Sequence, residues 1–327
     1  MKILVVGASG YLGYAVCQVL DAAGHEVLAL SRSGRAHFGT GVVGNVLSPS
    51  MGLGDEAEGM FDGVEVVVSC FGSVEMDTTS VIDTHVTGTR NVLDLAARID
   101  SVTRVVYVSS VVALGRAKGA ITNRDLARGQ SFRNFYEYAK YRGELIARRE
   151  TRVPVSILRI GPLLGAAPAD VIPLQGGPIA ALPHLLAGLP AVLEARGDFP
   201  IYACDVALAA EVVRDLATAQ KPPKATTYFD PELPTLAAIL EQLCRPWGVV
   251  PKIVDGVGPR WLQRAAAKRF GVEPAIVDYV RPLFTFDDNV RERMPIPDTP
   301  ADPDYVVATG RALRESGLAL TGIGGQR

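Results

Sequence analysis

Six short runs of apolar, mostly β-branched residues punctuate the first half of the chain: KILVVG (2–7), EVLALSR (26–32), GVVGNV (41–46), VEVVVSC (64–70), RVVYVSS (104–110) and VSILRIG (155–161). Within most of these runs apolar residues follow one another instead of alternating with polar ones, which predicts strands buried on both faces. Between them lie stretches with apolar positions at helical spacing, such as TGTRNVLDLAARI (87–99) and NFYEYAKYRGELIARRE (134–150). Strands alternating with helices predict an α/β fold, a doubly wound parallel sheet.

After Gly165 the pattern changes. Prolines become frequent and regular alternation fades, although helical patches remain at CDVALAAEVVRDLATA (204–219) and TLAAILEQLC (235–244). The chain therefore divides into a regular part, residues 1–165, and a smaller, irregular part, residues 166–327, some segments of which return to the first. The apolar runs PIAALPHLLAGLPAVL (178–193) and PRWLQRAAAKRF (259–270) suit either core packing or the walls of an apolar pocket, and LTGIGGQR at the end reads as a frayed tail.

Composition narrows the classes of function. Of 327 residues 48% are hydrophobic, enough for a sizeable core, and the net charge of −2 contains no long run of either sign. No electrostatic footprint for nucleic acid results. Cys17, Cys70, Cys204 and Cys244 are widely separated, which fits a reduced, cytoplasmic setting. The opening MKILVVGASGYLG begins like a signal peptide, but Gly7, Ser9 and Gly10 break the apolar run, and no stretch reaches the roughly 18 apolar residues of a membrane span. His25, His37, His85 and His184 lack metal-ligand spacing, and no GxSxG turn is present.

The first turn carries chemistry. VVGASGYLG places Gly7, Gly10 and Gly13 at GxxGxxG spacing, after a strand and at the head of a helix. Gly7, Ser9, Gly10, Tyr11, Leu12 and Gly13 thus form a candidate pyrophosphate cradle, in which glycines allow close approach and the helix N-terminus meets the charge. At the end of the second strand a carboxylate would repel a 2′-phosphate, but LALSRSGR has none. Ser31, Arg32, Ser33 and Arg35 are donors instead, which favours NADP(H) over NAD(H).

Taken together, GASGYLG, VTGTRNVLDLA, RVVYVSSVVALG, YEYAKYRGE, LRIGPLLG and FTFDDNVRE resemble the extended short-chain dehydrogenase/reductase family over nearly the whole chain. GNVLSPSMGL and GQSFRNFYEYAKYRGE are most similar to its thioester-reductase and fatty-acyl-reductase branch. The resemblance implies a Rossmann-type fold with a dinucleotide-binding part at 1–165 and a substrate-binding part at 166–327. It puts Asn45 and Val46 beside the adenine, makes Ser110 the substrate hydrogen-bond donor, and matches Tyr136 and Lys140 to the YxxxK pair. Asn45 replaces the usual aspartate, His85 stands where an asparagine is usual, and SCFGS (69–73) replaces an alanine-rich turn.

Hydride transfer to a carbonyl creates an alkoxide, so a proton donor and an aimed hydrogen bond are needed. Lys140 is one helical turn after Tyr136, where its ammonium could lower the phenol pKa and, as the family implies, hold the nicotinamide ribose. Tyr138 lies about 200° round the helix from Tyr136, and Tyr141 about 100° from Lys140. Packing is the expectation for both. Glu144, a further turn on, pairs with Lys140 or forms a plain surface pair. Strand alternation sends Ser109 and Ser110 to opposite faces, and the spacing to Gly115 favours Ser110. Asp205 reads as a helix cap.

The leading expectation is an NADPH-dependent reductase acting on a ketone or aldehyde of a largely apolar small molecule, of a kind found in secondary or lipid metabolism. A homodimer is compatible with it. Acyl-thioester reduction on a carrier protein docking in trans, sugar-nucleotide epimerisation or dehydration with bound NAD, and an NADP redox sensor without turnover are the alternatives.

Overall fold

The structure is a computed structural model and describes residues 1–53, 59–75, 78–174, 177–256, 261, 262, 265, 269, 282–287 and 304–317. Most of 259–270, the end of FTFDDNVRE and the tail LTGIGGQR lie outside the described residues.

The elements run β1 (Lys2–Val6), α1 (Tyr11–Ala22), β2 (Glu26–Ser31), β3 (Thr40–Val43), β4 (Val64–Ser69), α2 (Ser80–Arg98), β5 (Arg104–Ser110), β6 (Gly119–Ile121), α3 (Phe135–Arg149) and β7 (Val155–Ile160). Then follow β8 (Leu163–Leu164), α4 (Leu182–Leu186), β9 (Ala191–Leu193), β10 (Cys204–Asp205), α5 (Val206–Thr218), β11 (Ala225–Tyr228), α6 (Leu236–Cys244), β12 (Ile253–Asp255), β13 (Phe284–Phe286) and α7 (Tyr305–Glu315).

Seven strands form one parallel sheet in the order β11-β7-β5-β4-β1-β2-β3. It is an α/β sheet of Rossmann type. All six runs picked out by apolar continuity are in it; five are mostly buried, whereas β3, at the edge of the sheet, buries only Val42 of its four residues. β3 stops at Val43, short of the expected 46: the Gly44 N–H makes the last ladder bond, to Ser31 O, and the next N–H, that of Asn45, turns to Met51 O. The seventh strand, β11, was not anticipated. Its four residues follow prolines and carry two threonines, a weak local pattern that only pairing with β7 makes a strand.

Chain order reverses between β1 and β4, so the carboxyl ends of those strands open the crevice where doubly wound sheets bind ligands. The glycine turn and the Cys70–Ser73 segment both lie there. Leu4, Val6, Val67 and Val105 of the sheet pack with Val92, Leu93 and Ala96 of α2. Each large aliphatic side chain buried this way stabilises the fold by about 1.5–3 kcal/mol relative to exposure.

α2 starts at Ser80, earlier than expected. Helix α3 is capped by Asn134, whose Oδ1 accepts the Glu137 N–H at 2.9 Å, while Glu137 Oε2 accepts the Arg133 N–H at 2.8 Å. Arg148 and Arg149 in its last turn complement the helix dipole.

The chain divides into two compact units. The first comprises Met1–Ile160, Ala207–Tyr228 and the described residues of 284–299, and includes the β6–β13 pair. The second comprises Gly161–Val206, 229–283 and 300–327, so far as described. Within it β8 pairs with β10 and β9 with β12. α7 is anchored by Tyr305, whose hydroxyl donates to Asp230 Oδ2 at 2.9 Å.

Candidate active site

The glycine turn follows β1 directly. Gly7 has φ +89°, and a Cβ there would fall 2.6 Å from the backbone N and Cα of Phe71; a Cβ on Gly13 would fall 2.1 Å from the Gly7 carbonyl oxygen. Those two glycines are therefore demanded by the protein itself. Gly10 is different. It is exposed, its φ is −86°, and a Cβ would meet only the Gly7 oxygen at 3.3 Å. Gly10 is also the N-cap of α1, where no side chain caps the helix and no acid occupies the first turn. A bare cradle backed by a helix N-terminus suits a pyrophosphate. Ser9 is exposed beside it, whereas the side chains of Tyr11 and Leu12 are buried.

At the end of β2, Arg32, Ser33 and Arg35 are exposed. Ser31, the other residue expected among the phosphate donors, is buried, and its hydroxyl donates to the Arg35 carbonyl at 3.4 Å. Asn45 Oδ1 accepts the Leu47 N–H at 3.0 Å, and the Val46 carbonyl accepts from Asn91 Nδ2 at 2.7 Å. The segment that begins at Asn45 is thus fixed by its own turn and by α2.

The second cluster forms where α3 meets the end of β5. Tyr136 is half-buried, and its hydroxyl faces the Ser110 side chain. Burial pushes this phenol up to about 12, against the opposing effect of Ser110. The expected lowering by Lys140 is absent, so the tyrosine is a protonated donor at neutral pH. Lys140 is buried, and burial pulls its ammonium down to about 8, opposed by Cys70 and Glu144. Among the described residues nothing accepts a hydrogen bond from its Nζ. A buried cation with spare donors fits the ribose hydroxyls of a nicotinamide cofactor.

Tyr138 and Tyr141 turn elsewhere. Their rings pack on Phe132 at 5.5 and 5.0 Å, and Arg142 Nη1 donates to the Tyr138 hydroxyl at 2.7 Å.

Ser109 and Ser110 do separate. The Ser109 hydroxyl donates to Glu144 Oε2 at 2.6 Å, while Ser110 Oγ accepts the Val112 N–H at 3.3 Å on the Tyr136 side. Glu144 is fully buried and is no surface pair, and it does not bond Lys140. It accepts from Arg159 Nη2 at 2.7 Å and Arg148 Nε at 2.8 Å, and these two positive neighbours hold its carboxyl below the usual range despite burial. The signal was present in VSILRI: an arginine inside a strand buried on both faces requires a buried carboxylate.

Among the described residues no group of histidine, cysteine and acidic side chains could hold a metal ion, and no helix is long and apolar enough to cross a membrane.

Residues 3–210 match the model of the NAD dependent epimerase/dehydratase family. The curated 2-alkyl-3-oxoalkanoate reductase of Stenotrophomonas maltophilia (strain K279a) is 29% identical over 188 residues, 53% of this chain and 54% of that protein, so the match spans about half of the relative. Among solved structures, the terminal R domain from the myxalamid PKS-NRPS biosynthetic pathway superposes with a TM-score of 0.73 at 18% identity, covering 97% of this chain and 91% of the other. UDP-glucuronic acid 4-epimerase from Bacillus cereus, in complex with UDP-glucuronic acid and NAD, gives 0.72 at 15% identity, covering 97% and 100%. MoeE5 in complex with UDP-glucose and NAD gives 0.71 at 16%, covering 97% and 99%. At these identities the likeness is one of fold.

Proposed function

This chain belongs to the NAD dependent epimerase/dehydratase family, and on that premise we propose that it is an NADPH-dependent reductase of a ketone or aldehyde carried by a largely apolar small molecule. What carries the proposal is Tyr136, facing Ser110 and held protonated on the helix that bears the buried Lys140, whose Nζ donates to no acceptor among the described residues.

The reduced cofactor would supply the hydride to the carbonyl carbon. Gly10 and the N-terminus of α1 would bind its pyrophosphate, and Lys140 the nicotinamide ribose. The Ser110 hydroxyl would hold the carbonyl oxygen as charge develops, and Tyr136 would deliver the proton that completes the alcohol. Arg32, Ser33 and Arg35, with no acid among them, support a 2′-phosphate and hence NADPH. Residues 166–327 would contribute recognition of the substrate.

The curated relative that reduces a 3-oxoalkanoate supports an oxo substrate with an alkyl body. Sugar-nucleotide epimerisation is the second possibility, favoured by the epimerases among the structural neighbours. An epimerase would retain tightly bound NAD. The deciding experiment incubates the purified protein with NADPH or NADH and a panel of ketones, aldehydes, acyl thioesters and UDP-sugars, and follows nicotinamide absorbance near 340 nm and epimer formation. Oxidation of NADPH by a ketone or aldehyde is expected. Epimer formation with co-purified NAD and no net oxidation would replace the reductase assignment.

A further inference from the structure

His85 on α2 is 1% exposed and lies among Phe71, Ser73 and Tyr136. Its Nε2 is 3.1 Å from the Ser73 carbonyl oxygen, and a carbonyl only accepts, so Nε2 carries the proton. Its ring lies 5.8 Å from that of Tyr136 and 6.4 Å from that of Phe71, at 23° to the latter. A Cβ on Gly72 would fall 3.1 Å from His85 Cε1 and 3.8 Å from Lys140 Nζ, so imidazole and ammonium border the same backbone segment. The His85 carbonyl accepts from Thr89 Oγ1 at 2.5 Å and would lie 3.0 Å from a Cβ on Gly143 of α3, which seats this turn of α2 closely against α3.

The segment that His85 holds, Cys70–Ser73, is also the one against which Gly7 packs at Phe71. One imidazole therefore links the backing of the glycine turn to the helix that carries Tyr136 and Lys140. A second cation would be unfavourable at this place beside an ammonium. Burial and Lys140 pull the histidine down to about 3, so it contributes a donor without a charge.

We propose that His85 is a positioning residue: its Nε2–H fastens the Cys70–Ser73 segment and so keeps the glycine turn in register with Tyr136 and Lys140. Its effect on turnover rests on the reductase assignment, whereas its effect on NADPH binding rests only on the cofactor. The geometry also says which replacement works. Glutamine has its amide nitrogen as many bonds from Cα as imidazole Nε2, and asparagine only as many as Nδ1.

The test compares His85→Gln, His85→Asn and His85→Phe by NADPH fluorescence titration and by kcat, and reads the tautomer of the unmodified protein by 15N NMR. His85→Phe and His85→Asn are expected to lose about tenfold or more in kcat and in NADPH affinity, a misplacement effect, while His85→Gln stays within about threefold of the original. The NMR signal should show the Nε2–H form and no titration from pH 5 to 8. Equal behaviour of the Gln and Asn variants, unchanged NADPH binding in His85→Phe, or an Nδ1–H form would overturn the proposal. If no carbonyl is reduced but the Nε2–H form and the graded NADPH affinities are found, the reductase assignment fails and the role of His85 stands.

Discussion

The Tyr136 hydroxyl faces the Ser110 side chain, bringing helix α3 to the last residue of strand β5. This contact places a protonated phenol and a second hydroxyl at one point, as protonation of a developing alkoxide requires.

Tyr136→Phe should therefore lower kcat by about 10²–10⁴ while leaving NADPH affinity within a few-fold, and Ser110→Ala should cost about 10²–10³. Tyr138→Phe, which removes only the Arg142 hydrogen bond, should change turnover little. Steady-state kinetics with fluorescence titration of NADPH separate the two effects, and full activity in Tyr136→Phe would refute the assignment.

Gly10→Ala should keep the fold and lose the cofactor, because its Cβ enters the cradle and meets the protein only at 3.3 Å. Gly13→Ala should instead lower the melting temperature, since its Cβ would collide with the Gly7 carbonyl. Thermal melts with and without NADPH distinguish them.

Arg32→Ala should weaken NADPH binding by about 10- to 100-fold, the range of one charge-assisted hydrogen bond of about 1.5–3 kcal/mol, and leave NADH binding nearly unchanged. Equal losses for both cofactors would remove Arg32 from the 2′-phosphate site.

Lys140 is held down to about 8 from an ordinary 10.5, so its charge disappears as pH rises through the mildly alkaline range. NADPH affinity should fall above about pH 8, and Lys140→Arg should abolish that fall. His85 is depressed to about 3 from 6.5, so the unfolded chain binds the extra proton first: stability should decline as pH drops from about 6.5 towards 3. In His85→Gln the acid side of the stability curve should be flatter, as urea melts from pH 4 to 7 would reveal.

Glu144→Gln should destabilise the protein by about 3–5 kcal/mol in urea unfolding, because it strips the charge from a buried carboxylate that faces Arg159 and Arg148. Ser109→Ala should cost about 1 kcal/mol, the net worth of one hydrogen bond.

What the sequence by itself determined is local. Continuous apolar runs specify strands buried on both faces, the GxxGxxG turn specifies a tight bend into a helix, and the four-residue step from Tyr136 to Lys140 puts both on one helical face. Each follows from spacing along a single element. Tertiary structure alone decided what depends on which elements become neighbours. It turned Ser109 towards Glu144 and Ser110 towards Tyr136, buried Ser31, made a seventh strand of a four-residue segment, and set His85 against the Cys70–Ser73 segment. It also reversed the expected effect on Tyr136, because burying a phenolate is costly and raises its pKa against the opposing effect of Ser110. Desolvation and pairing are properties of the assembled core, and no window along the chain contains them.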